Sequence, residues 1–413
     1  MSAHIDAETE RSSHPFAFTI LYLPYGMAAG YVTVTLAYLL SHAGLSVERV
    51  AALVTLQLLP QTWKVLWAPI VDTTLSARRW YLISTVTTGL AILAMTLTPS
   101  TPSSMWLLDA LVLISSIASS FVAMSTEWLM AHSTSDHQKG RAGGWSEAGY
   151  LGGSGLGGGL ALWLSQHAQP WSGGVLLALL SLLCAIPLLL FKEQRRPRSA
   201  TGSYPQALRA VGRDVWDIGR TRVGFLTLLL FILPIGSGAA GGLWSAVADD
   251  WRASADTVAL VNGGLGGLMS MAGCLVAGYA CDVFDRKSAY ALAGIVQALC
   301  VIAMALGTRT PSSFVVFTCA YAFINGCVYA AFASVTLETI GRRSAATNYN
   351  LMACFANIPI AYMTTIDGHA QGRWGSGGML YTEAAFCACA VLVFAATVFL
   401  TRPRVEAVPV PAA

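Results

Sequence analysis

Four ionisable side chains stand inside long apolar runs: Lys64, Asp109, Glu127 and Glu147. On insertion scales such a residue at the centre of a membrane helix costs about 2.5–3.5 kcal/mol. It therefore needs a partner or a water-filled path. Gln57, Gln61 and Lys64 fall at i, i+4 and i+7, one face of a helix. Two amides and an amine on one stripe suit the passage of an anionic or carbonyl-rich solute; an ion pair holding an inner gate is the alternative. Asp109, Ser116, Ser120 and Glu127 form a second polar face at i, i+7, i+11 and i+18. Glu147 enters the next run from the same side, to a depth like that of Glu127 and Lys64. These three are expected to form one buried cluster with an excess carboxylate, so one acid is expected to carry a proton. A charge latch closing that side is equally compatible. Asp109 joins them as a proton-coupling candidate, although it lies nearer the other surface, where simple hydration would account for it.

Later in the chain, Tyr321, Asn325 and Tyr329 share one helical face and are candidates for solute contact. Interhelical hydrogen bonding is the plainer reading. Asn348, Asn350 and Asn357 are weaker candidates in the following run. Glu338 and Arg342 are four apart and are expected to pair across a turn as part of a gate. Near the start, Tyr22, Tyr25 and Tyr31 surround Pro24, Gly26 and Gly30. The Pro–Gly elements favour a bend, and Tyr25 is a candidate solute contact.

The elements that position these residues follow from composition. Of 413 residues, 55% are hydrophobic and only 11% charged. Soluble domains carry about 25% charge, and disordered chains are poor in apolar residues. A multi-pass all-α membrane protein remains. Twelve runs are long enough to span a bilayer, at approximately 16–41, 49–71, 80–99, 105–131, 142–165, 173–191, 223–247, 257–281, 289–307, 312–335, 347–366 and 379–401. No cleaved signal peptide is read in residues 1–15. Closed barrels would need short alternating segments. With both termini in the cytoplasm, most loop lysines and arginines fall inside, and only Arg49, Arg252, Arg309 and Arg373 fall outside.

Residues 192–222 are the one long polar insert. Leu208, Val211, Val215 and Ile218 give it one apolar helical face, as for a helix lying on the inner membrane surface. The expected division is a six-helix bundle over 1–191, a cytoplasmic linker over 192–222 and a second six-helix bundle over 223–413. The halves echo each other. After the second span the chain reads Asp72-TTLSA-Arg78-Arg79, and after the eighth Asp282-VFD-Arg286-Lys287. Repeats of this kind mark secondary transporters.

Gly278-YAC-Asp282-VFD-Arg286-Lys287 resembles the signature loop of the major facilitator superfamily; the first-half copy has Ala68 in place of the glycine. Lys64-VLWAPIVD resembles the second span of AmpG-like muropeptide permeases, their peptide–acetyl-coenzyme A transporter relatives and similar siderophore-uptake permeases. The resemblance implies twelve transmembrane helices in two six-helix bundles, the major facilitator fold. It also implies gating by Asp72, Arg78, Arg79, Asp282, Arg286 and Lys287. The implied function is inward movement of a muropeptide, peptide, acyl-coenzyme A or siderophore-type solute by alternating access, coupled to protons. The implied location is the cell membrane, with a bacterial inner membrane expected. An exporter of drugs or metabolites on the same fold, and a receptor or assembly subunit without flux, are the competing readings.

Gly152–Gly159 contains a literal GxGxxG (Gly153, Gly155, Gly158). A nucleotide site would need a strand before it and a βαβ unit, so these glycines, with Gly263–Gly267, are read as close helix packing that slides open at the outer side. The nine cysteines lack CxxC spacing and the seven histidines lack metal-ligand spacing. Neither a metal nor a cofactor is expected. The net charge of +3 gives no field for nucleic acid. No nucleophile–base pattern is read, so an enzyme is not expected. Twelve spans suffice for a working monomer.

Overall fold

The computed structural model describes residues 15–45, 47–191, 212–213, 216–254, 257–258, 260–340 and 345–401. All regular structure among them is helical. Eight stretches are long and apolar enough to cross a bilayer by length and composition. One of these, Ala345–Leu400, is two spans joined at Gly375, whose φ of 69° interrupts the helix. Three further spans escape that criterion because they carry the polar residues, the glycines or a break. The twelve helices are α1 (Phe16–His42), α2 (Val47–Thr73), α3 (Ala77–Leu97), α4 (Met105–Ser133), α5 (139–167), α6 (Ser172–Leu190), α7 (222–251), α8 (260–283), α9 (Arg286–Leu306), α10 (Pro311–Thr339), α11 (345–374) and α12 (376–400). The expected inter-half linker, with the amphipathic helix read in it, falls mostly outside the described residues.

The seventh span differs from the continuous helix expected of it. Its first part, Arg222–Ile232, ends before Pro234. Short helical turns resume at Ala239–Leu243, Trp244–Val247 and Ala248–Trp251. Gly236 and Gly238 between them have φ of 67° and 70°. Proline removes a backbone donor and glycine accepts positive φ, so the sequence LPIGSG breaks the helix here. Val328 packs against Gly236, and Asn325 packs against Gly238.

Two ends of the molecule are distinguished by charge. Arg78, Arg79, Lys139, Arg141, Arg286 and Lys287 mark one, here the basic end. Around it a single apolar cluster draws from both halves, including Phe18, Trp128, Phe231, Tyr290 and Tyr349. Toward the opposite end each half keeps its own cluster. Met27, Val32, Leu53 and Ile92 belong to one, and Trp244, Trp251, Phe314 and Leu380 to the other. The halves thus share one apolar cluster at the basic end, while beyond it each keeps its own and they meet along α5 and α8.

The glycine-rich α5 has two working faces. Gly149, Gly153 and Gly157 recur every fourth residue and lie on α1. A Cβ on them would sit 2.3, 2.5 and 2.2 Å from the carbonyl oxygens of Thr19, Leu23 and Met27. The other face meets α8, where Gly144 lies against Gly278, Gly155 against Gly267 and Gly159 against Gly264. Near this level three neighbouring helices widen into π turns, at Tyr31–Leu36, Leu156–Leu160 and Leu260–Leu265. The Thr35 hydroxyl donates to the Gly157 and Gly158 carbonyls that such a turn leaves short of partners. An apolar groove of about 830 Å³ lies between α1, α5 and α8 here.

The two faces predict opposite outcomes within one motif. Gly153→Ala drives a methyl into the α1 backbone and should lower stability by roughly 1–3 kcal/mol. Gly155→Ala meets only the Gly267 Cα at 4.0 Å and should stay within about 0.5 kcal/mol of the parent. Thermal unfolding of the purified variants in detergent checks both.

Candidate functional site

The polar stripes of α2 and α4 face each other, as their spacing requires. The Gln61 amide donates to the Ser116 carbonyl (3.1 Å) and hydroxyl (3.2 Å), and Ser116 Oγ donates to the Gln57 carbonyl at 2.6 Å. Trp67 Nε1 donates to Ser120 Oγ at 3.2 Å. Tyr25 on α1 donates to Gln61 Oε1 at 3.1 Å, and Lys64 Nζ lies 5.9 Å from the Tyr25 ring centroid. Gln57 is 1% exposed and its Oε1 has no partner.

Glu127 is the centre of the site and is fully buried. Tyr22 Oη donates to its Oε1 at 2.7 Å, and Lys64 Nζ stands 4.0 Å from the same oxygen. Asn350 Nδ2, from α11 in the other half, donates to Oε2. Glu147 on α5 accepts from Tyr349 Oη, also from α11, at 3.4 Å. The two carboxylates and Lys64 interact electrostatically. Tyr150 stacks on Tyr25 with centroids 4.7 Å apart. One cation therefore serves two acids, inside a shell of tyrosines, and helices of both halves close around them.

The repeated loop acids have equivalent partners. Asp72, at the end of α2, accepts from the backbone N–H of Ala346 (3.3 Å) and of Thr347 (2.8 Å) and from the Thr347 hydroxyl (2.6 Å). Asp282, at the end of α8, accepts from the N–H of Gly140 (2.8 Å) and of Arg141 (3.3 Å) and from Arg141 Nε at 2.6 Å. Each acid thus caps the N-terminus of a helix in the opposite half, α11 or α5, where orphan N–H groups and the helix dipole favour an anion. Arg286 donates to the Asp136 carbonyl at 2.6 Å and lies 3.5 Å from Glu338. The expected Glu338–Arg342 pair cannot be read, since Arg342 lies outside the described residues. Arg78 and Arg79 open α3, which Ser76 caps through the Arg79 N–H at 3.4 Å. Lys287 opens α9, which Asp285 caps through the Ser288 N–H at 2.8 Å. Asp109 pairs with Arg49 near the opposite end of α4 and α2, away from Glu127.

The second-half candidates divide. Tyr321 and Asn325 line a cavity of about 280 Å³ with Ser154 and Gly155 of α5, Gly238, Gly241 and Trp244 of α7 and Gly267 and Ser270 of α8. This cavity lies between the halves, on the side of Glu127 and Glu147 away from the basic end. Tyr329 sits instead beside Tyr150 and Glu147. The sequence reading gives Tyr22 and Asn350 lesser weight than the geometry does, and passes over Tyr349. It also passes over Asp367 and Glu383, though the rule that picks out Lys64 applies to an acid in any apolar run. Among the described residues no group of three or more His, Cys, Asp or Glu side chains could hold a metal.

Comparisons with known proteins agree on the kind of molecule. The anhydromuropeptide permease of Escherichia coli K12 is 25% identical over 359 residues, covering 83% of this chain and 72% of its own length. The permease of the same name from E. coli O157:H7 matches equally. Among solved structures, the human organic anion transporter MFSD10 superposes with a TM-score of 0.72 at 15% identity, covering 94% of this chain and 99% of its own. The proton:xylose symporter XylE, bound to 6-bromo-6-deoxy-D-glucose, gives 0.68 at 13% identity, covering 93% and 96%. A variant of the E. coli fucose:proton symporter FucP also gives 0.68 at 13%, covering 95% and 100%. Those likenesses establish the fold. The family model of the Major Facilitator Superfamily matches residues 18–364, most of the sequence, and the chain belongs to that superfamily of multi-pass membrane transporters.

Proposed function

We propose that this transporter carries a small organic solute into the cell by alternating access, drawing on a proton gradient. The observation that carries this reading is Glu127, a fully buried carboxylate held by Tyr22, Lys64 and Asn350. A single lysine shared by Glu127 and Glu147 leaves one negative charge uncompensated in a medium that penalises it. A proton on one acid removes that excess. Losing the proton weakens or strengthens contacts that join the halves, because Asn350 and Tyr349 both come from α11. Proton occupancy and the closure of the basic end are then linked.

The solute path runs between the halves, along the amide stripe of Gln57 and Gln61 and the cavity beside Tyr321 and Asn325. Similarity to the anhydromuropeptide permease supports a solute with sugar and peptide character, rich in carbonyls and carboxylates, for which amides and Lys64 are suitable partners. The proposed setting is a bacterial inner membrane, with the basic end and both termini in the cytoplasm and a monomer as the working unit. The proposed division into bundles over 1–191 and 223–413, with the linker between, supplies the two bodies that rock. Asp72 and Asp282 are the proposed latch of the cytoplasmic side, with Arg286 and Glu338 beside them.

In proteoliposomes with an acidic exterior, Glu127→Gln should abolish uphill uptake of a labelled muropeptide while keeping downhill counterflow. Unchanged acid-driven accumulation would overturn the coupling role, and absence of any flux in the parent protein would overturn transport of that solute.

Removing one cap costs about 0.5–2 kcal/mol, a shift of up to roughly 30-fold toward the state open at the basic end. Cys281, buried beside Asp282, reports that opening. Its labelling by a maleimide, followed by peptide mass spectrometry, should quicken in Asp282→Ala.

A further inference from the structure

A second pair of acids lies in the other half, unconnected with Lys64. Asp367 on α11 and Glu383 on α12 stand on either side of the Gly375 interruption, 0% and 5% exposed. Glu383 Oε1 accepts from Tyr321 Oη at 2.6 Å, and the carboxylate lies against the backbone amide of Ala240, just past the break in α7. The two acids interact electrostatically with each other. Glu383 Oε2 and both Asp367 oxygens have no hydrogen-bond partner.

The surroundings supply polar groups, and the Arg309 guanidinium beside Gly377 is the nearby cation. From α10 comes Tyr321, and from α9 the Cys300 thiol. On α12 itself, one turn beyond Glu383, Cys387 donates to the Gly294 carbonyl of α9 at 3.4 Å. That contact sets α9 against α12, and Gln297 follows Gly294 by one turn toward Glu383. Gln297 is 2% exposed and its Nε2 is unpartnered. Ser376, seven residues before Glu383 and so on the same helical face, is 1% exposed with an unpartnered hydroxyl. Arg309 is turned to Asp250 (3.5 Å) and to the Trp251 ring (5.3 Å). Among the described residues, no basic side chain forms an ion pair with either acid.

Two ionised carboxylates buried this deeply, within electrostatic reach of each other, would each lose several kcal/mol of hydration. They would also repel each other, as in acid dyads that share a proton. A proton on the pair removes one charge and supplies a hydrogen-bond donor where acceptors are in excess. We propose that Asp367 and Glu383 form a second proton-binding site, in the second half of the transporter and toward the end opposite the Asp72 and Asp282 caps. Along α11, Asp367 lies 17 residues from Asn350, about 25 Å, so this site and the Glu127 cluster take up protons separately. The pair touches both Tyr321, which lines the cavity between the halves, and the second part of α7. It therefore senses acidity on the side from which solute arrives. This deepens the proton-driven reading of transport, yet it is testable with no flux measured.

The test is infrared difference spectroscopy of the purified full-length protein in nanodiscs across a pH titration, with deuterium exchange marking protonated carboxyl bands. Asp367→Asn and Glu383→Gln should each remove or shift one and the same component, and Glu127→Gln should leave that component in place. A second readout is the pH dependence of thermal unfolding. The folded chain holds a proton that the unfolded, hydrated chain releases near neutrality, so stability falls as pH rises. Each such proton contributes a tenfold fall in the folding equilibrium per pH unit, and the Asp367→Asn/Glu383→Gln double variant should lose one such tenfold step and keep the share of the Glu127 cluster. An unchanged carboxyl band in both single variants, or an unchanged pH slope in the double variant, overturns the proposal. A double variant that fails to fold leaves the decision with the single-variant spectra. Failure of Glu127→Gln to uncouple uptake would overturn the reading of the first site and leave this one standing.

Discussion

A carboxylate in hydrocarbon has to be answered by something, and the Glu127 carboxylate is answered from three directions. Tyr22 of α1, Lys64 of α2 and Asn350 of α11 converge on it. Those helices are held in place by other means, and each of these serves the same closure. α1 is fixed to α5 through glycines that admit no side chain. α2 is tied to α4 through Gln57, Gln61 and Ser116. α11 is drawn in by the Asp72 cap two turns or less from Asn350. The arrangement around one buried acid thus summarises which parts of the chain are in contact at the basic end and why those contacts are mutually dependent.

The two halves use one device twice. An acid at the end of an even-numbered helix reaches across to the first N–H groups of a helix in the other half. In each contact two backbone amides of the partner helix bind the acid and one side chain of that helix, Thr347 or Arg141, completes it. The first-half copy of the loop makes this contact with Ala68 standing where the second half has Gly278. At the second position the glycine is needed, because Gly278 lies against Gly144 with backbones touching. At the first, Ala68 packs into the shared apolar cluster instead.

Much of this is legible in the sequence. Alternation of apolar runs with basic loops yields the span count, and the i, i+4, i+7 spacing of Gln57, Gln61 and Lys64 puts them on one face, which the fold turns toward Ser116 and Glu127. The meeting of Glu127 with Asn350 is not legible, since residues 223 apart in sequence are joined only by the packing of the halves. The break in α7 is written in Leu233-PIGSG, but the apolar residues on both sides of it read as one continuous run when averaged. Asp367 falls just beyond the eleventh apolar run, because polar residues lower the hydropathy there; the helix itself continues to the residue before Gly375.

The three π turns of α1, α5 and α8 have a mechanical meaning. Each holds one surplus residue, which interrupts the regular hydrogen-bond ladder and gives the segments on either side a place to turn relative to each other. Lying next to one another, with the Thr35 hydroxyl supplying a partner to two carbonyls of α5, they leave the ends of these rods away from the basic end free to turn like keys while the basic ends stay clamped.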